Sequence, residues 1–363
     1  MILLKRISAR LSFIQKYHFR LVFVVAALWT GIDLLYWYID FSPSLTDNSI
    51  RTISLGAFLL RGVIVYIMSC LMGYILIVKL KQVFRNYPLL INLLAKTSIL
   101  LLAALVMNFL LHITYSLFIL DLTSIHGLDR FFGNAMSFIW LLKHSVGWVL
   151  LFMLTQITIE INEKYSPGVF WDILIGKYLQ PKVQKRIVMF MDLHDSTPIA
   201  EQLGSRDNFK FIRDFIYYVS IGLMEYDGRI YQYVGDEIVV SWLYTPENVN
   251  KCVDALALSS RILQRNGKYF MERYGIIPEF KAGIHVGEVT VGEIGIVKKD
   301  IAMSGDTMNT AARIRSSCND LDARYVASKE LLDGVNINWP AESLGLIDLK
   351  GKSDSMELYA LRI

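Results

Sequence analysis

Long apolar runs in the first 160 residues constrain this chain more than any other feature. Four stand out: Leu21–Ile39, Ile53–Val78, Ser98–Leu120 and Ala135–Ile159. Each reaches about the 20 residues that a helix needs to cross a bilayer. They raise the hydrophobic content to 54% and the mean hydropathy to +0.40. The competing reading, core helices of a large water-soluble fold, fits the run lengths less well. A signal peptide is a poor reading of the first run, because a long basic segment precedes it and no small-residue cleavage site follows. Trp and Tyr gather near span ends, as in "LLYWYID", which suits a membrane–water interface.

Lys and Arg set an expected orientation. Lys5, Arg6, Arg10, Lys16 and Arg20 precede the first run, and Lys79, Lys81, Arg85 and Lys96 lie between the second and third. The other two loops carry only Arg51 and Arg130. By the positive-inside rule both the N-terminus and the chain beyond the fourth span are cytoplasmic. A multi-pass protein of the inner or plasma membrane is therefore expected. Arg61, Lys143 and His144 fall inside spans, where charges are paired or line a cavity. The net charge is +4, with its basic excess at the membrane flanks. That favours contact with an anionic leaflet and argues against nucleic-acid binding. Cys70, Cys252 and Cys318 have no metal-ligand spacing and suggest no disulfide.

The expected organisation is a basic N-terminus (1–20), an all-α four-helix transmembrane domain (21–160), a connector helix (161–185) and an α+β domain (186–363). In the last of these, "RIVMFMDL" reads as a buried strand and "TPIAEQLG" as a helix with Thr197 as N-cap and Pro198 at its first position. A second helix ends at Gly228. "IYQYVGDEIVVSW" is a hairpin, and "NVNKCVDALALSSRILQRNGKYFMERYG" one long helix. "EFKAGIHVGEVTVGEIG" reads as two strands about a Gly turn, "DTMNTAARIRSSC" as a helix, and the remainder as strands.

Asp192 ends the buried strand and Asp236 sits at the hairpin tip. Two carboxylates brought together repel unless a proton or a cation intervenes. A hard ion such as Mg²⁺ takes oxygen ligands and leaves positions open for phosphate. The helix start after "LHDST" offers free N–H groups to an anion. Asn309 and Arg313, four residues apart, share one helix face and are suited to grip ribose and phosphate. Lys350 and Lys352 flank a glycine and suit a polyphosphate.

Taken together, "VMFMDLHDST", "GRIYQYVGDEIVVSW", "KAGIHVGEVTVGEIG", "SGDTMNTAARI" and "LKGKSDSMELYAL" give the segment from about Ile187 to Ile363 a specific likeness: it resembles the class III nucleotidyl cyclase catalytic domain. The resemblance implies a ferredoxin-like βαββαβ core, an antiparallel sheet with flanking helices. It implies that Asp192 and Asp236 hold two Mg²⁺ or Mn²⁺ ions per site, that Asn309 orients the ribose, and that Arg313 stabilises the α-phosphate. Lys350, or Lys352 in its place, would bind the β/γ-phosphates, with Thr197 at the phosphate-facing helix start. The acids and the Asn/Arg pair would meet across a homodimer interface. The resemblance makes Gln232 and Ala302 the base-reading positions. They depart from the Lys/Asp (or Thr) set of adenylate-selective members and from the Glu/Cys set of guanylate-selective ones. With no Glu to accept from guanine, ATP is the expected substrate and GTP the alternative. A silent nucleotide-binding partner is the other class of reading. Glu237 is expected as a turn acid or dimer contact, His285 as a packed structural histidine, and Asp195 in a helix-start role.

Overall fold

The computed structural model describes residues 13–41, 55–80, 83–84, 87–118, 138–164, 172–173, 175–296, 300–352 and 354–363. The chain divides into two compact units at Ile161/Asn162.

The N-terminal unit contains α1 (Phe13–Phe41), α2 (Leu55–Tyr74), α3 (Leu89–Phe118) and α4 (Phe138–Lys164), with a π-helical segment Ile75–Leu80 continuing α2. Among the described residues three segments are long and apolar enough to cross a membrane: Gln15–Ile39, Phe58–Leu80 and Leu89–Met107. This corrects the expectation of four. Among the described residues the fourth apolar stretch is the shorter Val146–Ile161, within a helix that carries Lys143 and His144 near its start and Glu160 near its end. The side chains of Lys143 and His144 lie outside the described residues. Trp29, Leu76, Leu100 and Phe152 form the buried centre of this unit. Leu28, Val63 and Leu150 are more than half exposed, as an outer face against lipid would be. Polar side chains tie helix to helix, the role such groups take where apolar burial offers no contrast with lipid. Trp29 Nε1 donates to Thr155 Oγ1 at 3.1 Å, and Gln156 Nε2 to Thr97 Oγ1 at 3.0 Å. Arg61 donates from Nε and Nη2 to the two oxygens of Asp33 at 2.8 and 2.9 Å. Asp33, a fourth ionisable residue inside a span, is thus the partner that Arg61 requires.

In the C-terminal unit the connector is not one helix. Of its described residues Asp172 and Ile173 are helical and a turn follows; Gly176 has a positive φ of 70°. Strand β1 (Lys182–Leu193) already begins after Pro181. Helix α5 (Ser196–Glu225) is interrupted at Gly204, whose φ of 68° and ψ of 163° break the helical path. The hairpin β2 (Arg229–Val234) and β3 (Glu237–Leu243) turns on Gly235, with φ 64°. Next come α6 (Pro246–Arg265) and α7 (Gly267–Tyr274), two helices that meet at Asn266 where one was expected. Then follow β4 (Phe280–Ile294), β5 (Asp300–Ser304), α8 (Asp306–Ser317), β6 (Tyr325–Ser328), the short α9 (Lys329–Leu332), β7 (Ala341–Ile347) and β8 (Met356–Leu361).

The strands form one eight-stranded sheet in the order β2-β3-β1-β4-β6-β8-β7, with β5 also on β4. The sheet is mixed, not wholly antiparallel, because β4 and β6 run parallel. Side chains alternate across β1. Ile187, Met189, Met191 and Leu193 enter the main core with Phe211 and Phe215 of α5 and Val253 and Leu256 of α6. Val188 faces the other way, with Val289, Met308 and Ala311.

The segment read as two strands about a glycine turn is a single 15-residue strand, β4. Its glycines serve packing. A Cβ on Gly283 would lie 2.1 Å from the backbone N of Arg315, and one on Gly287 would lie 2.5 Å from Thr307 Oγ1. Glycine at both positions lets α8 lie directly on β4.

Candidate active site

The alternation that buries Met191 turns Asp192, the penultimate residue of β1, to the opposite face of the sheet. Antiparallel pairing of β1 with β3, Met191 opposite Ile238, brings the hairpin tip beside it. Asp236 therefore adjoins Asp192, as the sequence reading expects. Burial raises the Asp192 carboxyl to about 6; the nearby Arg315 guanidinium pulls it down, while Asp236 and Glu237 push it up. Asp236 Oδ2 is buried with no hydrogen-bond partner. A pair of carboxylates with an unmatched oxygen is a donor set suited to a hard divalent cation completed by phosphate or water oxygens. Among the described residues no cluster of three or more His, Cys, Asp or Glu forms a metal site, so the pair would supply only part of a coordination shell.

Arg315 is the functional-face residue that the sequence reading overlooked. Its Nη1 donates to Asp192 Oδ2 at 3.0 Å, its Nη2 donates to Glu237 Oε2, and its Nε is buried without a partner. Glu237 is thus an ion-pair acid. The signal available beforehand was "GIHVG": a glycine that lets α8 touch β4 at Arg315 also places that arginine beside the end of β1.

Asn309 and Arg313 are not brought to the acids within the chain. The buried face of α8 is Met308, Ala311 and Ile314; Asn309 is exposed and Arg313 half-buried. Arg313 Nη1 donates to the carbonyl of Gly351 at 2.8 Å, which joins it to the loop that carries both lysines. Lys350 is exposed and makes no hydrogen bond or ion pair among the described residues. Lys352 is paired with Asp306.

Gln232 is exposed and Ala302 half-buried. The β2–β3 register shifts between Ile230 and Gln232, which leaves Tyr231 as a bulge. Bulges re-aim side chains, and the Tyr231 hydroxyl accepts from the backbone N–H of Met303 at 3.0 Å. The neighbours of Gln232 and Ala302 are thereby tied together. β5, absent from the sequence reading, is the element that makes this contact.

Of the two expectations about this helix start, the one for Thr197 needs correction, whereas Asp195 stands at the start as expected. Thr197 is not an N-cap but an exposed residue of the first turn of α5. Asp195 occupies the cap position in the left-handed region, φ 54°, and its side chain makes no capping bond; it faces His194 at 3.2 Å instead. His285 is structural as expected. Its Nδ1 lies 2.8 Å from Ser328 Oγ, and burial lowers its pKa.

Residues 179–362 match the family described as the adenylate and guanylate cyclase catalytic domain. The chain belongs to that family. Adenylate cyclase 2 of Rhizobium meliloti (strain 1021) is 28% identical over 206 residues, covering 56% of this chain and 57% of the relative. The adenylate cyclase of Anabaena cylindrica is 23% identical over 225 residues, covering 56% of this chain and 43% of the relative. The chain thus spans little more than half the length of the first and less of the second. The solved structure of a bacterial light-regulated adenylyl cyclase is 19% identical, with a TM-score of 0.52 over 59% of this chain and 62% of that one. That likeness speaks to the fold of the cyclase domain.

Proposed function

We propose that this cyclase-family chain is a membrane-anchored adenylate cyclase, converting ATP to 3′,5′-cyclic AMP and pyrophosphate at the interface of a homodimer. The observation that carries the reading is the juxtaposition of Asp192 and Asp236, one oxygen of which has no partner. When bound there, one Mg²⁺ or Mn²⁺ ion would activate the ribose 3′-hydroxyl and a second would neutralise the triphosphate. Asn309 orients the ribose, and Arg313, held by the Gly351 carbonyl, stabilises charge on the α-phosphate. Lys350 binds the β/γ-phosphates, because Lys352 is already paired with Asp306. Nucleophile and leaving group belong to one nucleotide, so the protein's contribution is alignment and charge stabilisation.

The separation of the site into two parts on one chain supports the dimer. The acids sit on β1 and the hairpin, whereas Asn309 and Arg313 sit on the outer side of α8 with the lysine loop. A two-fold dimer would unite the parts twice. The three apolar helices among the described residues of the N-terminal unit support anchoring in the inner or plasma membrane, crossed more than once, and the basic flanks of the first span support a cytoplasmic N-terminus.

GTP is the second substrate to consider, because Gln232 can present either edge of its amide to a purine and Ala302 adds no polar group. A silent regulatory partner is disfavoured by the survival of both acids and Arg313. The test is turnover of Mn²⁺–ATP and Mn²⁺–GTP by the full chain in detergent and in membranes. Cyclic AMP as the main product supports the proposal; cyclic GMP as the main product overturns the substrate, and no cyclic nucleotide from either overturns the activity. Gln232→Lys with Ala302→Asp should sharpen ATP preference by about tenfold.

A further inference from the structure

Two carboxylates, Asp192 at the end of β1 and Glu237 beside the tip of the β2–β3 hairpin, meet one guanidinium, and Asp236 adjoins Asp192. Arg315 spans the group, with one nitrogen on Asp192 and one on Glu237. Its side chain and that of Asp192 are each 26% exposed and that of Glu237 15%. These charges interact in a partly desolvated place, where Coulomb energies exceed those at an open surface. The bridge has no slack at its base. Gly283 sits so close that a Cβ there would lie 2.1 Å from Arg315 N, which fixes the root of the side chain beside the end of β1. The guanidinium is nevertheless incompletely satisfied, since its Nε is buried without a partner. Neither is the Asp236 oxygen.

A positive group held on a carboxylate that would ligate a cation is a competitor for that cation. We propose that Arg315 is a built-in counter-cation of the acid pair, and that divalent-cation binding requires its guanidinium to release Asp192 while Glu237 retains it. This inference rests on the reading of Asp192 and Asp236 as the metal pair. It assigns Arg315 a gating role distinct from that of Arg313, which faces the Gly351 loop. Glu237 becomes the parking acid that keeps the displaced guanidinium from standing uncompensated, which would be costly in a half-buried place. Cation affinity is thereby set below what the two aspartates alone would give.

The experiment is a direct Mn²⁺ titration of the nucleotide-free full chain in detergent, with free Mn²⁺ read by electron paramagnetic resonance. Arg315→Gln, which can still hydrogen-bond Glu237, should bind Mn²⁺ about tenfold more tightly than the parent chain. Arg315→Lys keeps the charge and should stay near the parent value. In chelator, Arg315→Gln should unfold at a lower temperature than the parent, and added Mn²⁺ should raise its midpoint by more. Asp236→Asn is the control for the underlying site and should weaken Mn²⁺ binding in both the parent and the Arg315→Gln background. If Asp236→Asn weakens binding while Arg315→Gln leaves affinity unchanged or lowers it, the counter-cation role is overturned and the metal pair stands. If Asp236→Asn has no effect, the metal pair is wrong and the role of Arg315 falls with it. An Arg315→Gln chain that fails to fold leaves Arg315→Lys and Arg315→Met to decide: Met must bind Mn²⁺ more tightly than Lys, and equal affinities overturn the proposal.

Discussion

Two arginine–carboxylate contacts, one in each unit, use the same chemistry to opposite ends. In the N-terminal bundle Arg61 meets Asp33 fork to fork, both oxygens taken at 2.8 and 2.9 Å, with the Asp33 side chain only 4% exposed. Charge and hydrogen-bonding capacity are matched one to one, and the Arg61 guanidinium also lies 5.4 Å from the Trp37 ring centroid. In the cyclase domain Arg315 divides itself between Asp192 and Glu237 while Asp236 stands beside them with an oxygen unpaired. A balanced pair fastens two helices. An unbalanced one leaves negative charge in excess, which suits a place where a cation arrives.

The strongest way to break this contrast is at Asp236. Asp236→Ala should lower cyclase turnover by at least about 10²–10³-fold while the thermal midpoint in chelator holds or rises, since one of the mutually repelling acids is gone. A variant that keeps its rate would reduce the excess charge to a surface accident. Next in size is Asp33→Ala, which strands the Arg61 charge and should cost about 3–5 kcal/mol, read as loss of folded chain in detergent unfolding. Asp33→Leu with Arg61→Met should recover most of that, as it removes both members of a balanced pair; no recovery would mean that the pair does more than fasten. Gly283→Ala sharpens the contrast from the backbone side. It pushes α8 from β4 and should cost about 1–3 kcal/mol, with a lowered thermal midpoint of the cyclase domain as the readout. The smallest signal is in pH. Because Asp192 is raised to about 6 from an ordinary value of about 4, the folded state holds its proton more tightly than the unfolded one. Its contribution should therefore fall as pH rises from about 4 to about 6, and Asp192→Asn should flatten that part of a stability profile measured in chelator. Carboxylates with lowered values, Asp214 among them, slope the opposite way and make the difference between the two chains the quantity to measure.

Much of this arrangement was legible in the residues. Alternation in "RIVMFMDL" told which side of β1 Asp192 takes, and the Gly–Asp–Glu turn told where Asp236 sits. The connector helix, the two-strand reading of β4 and the cap role of Thr197 failed for local reasons. Pro181 and Gly176 interrupt the first. Gly283 and Gly287 look like turn residues but answer to a helix packed from outside the segment, which no short-range pattern records. At Thr197 a familiar cap-plus-proline signal lost to Asp195 in the left-handed region. Arg315 was hidden for a different reason: its partners are 123 and 78 residues away, and the helix pattern "NTAARIRSS" draws the eye to Arg313. Asp33 lies within an otherwise apolar run, and the residue-level sign of its role is Arg61 of the next run, which needs an acid.

The glycine-lined seat of α8 on β4 has one more consequence. That helix carries Arg315 toward its own subunit's acids and Arg313 toward the outside, on a single stiff rod with no room to slide. In the proposed dimer that one rod would therefore serve both reaction centres, its own through Arg315 and the neighbour's through Arg313.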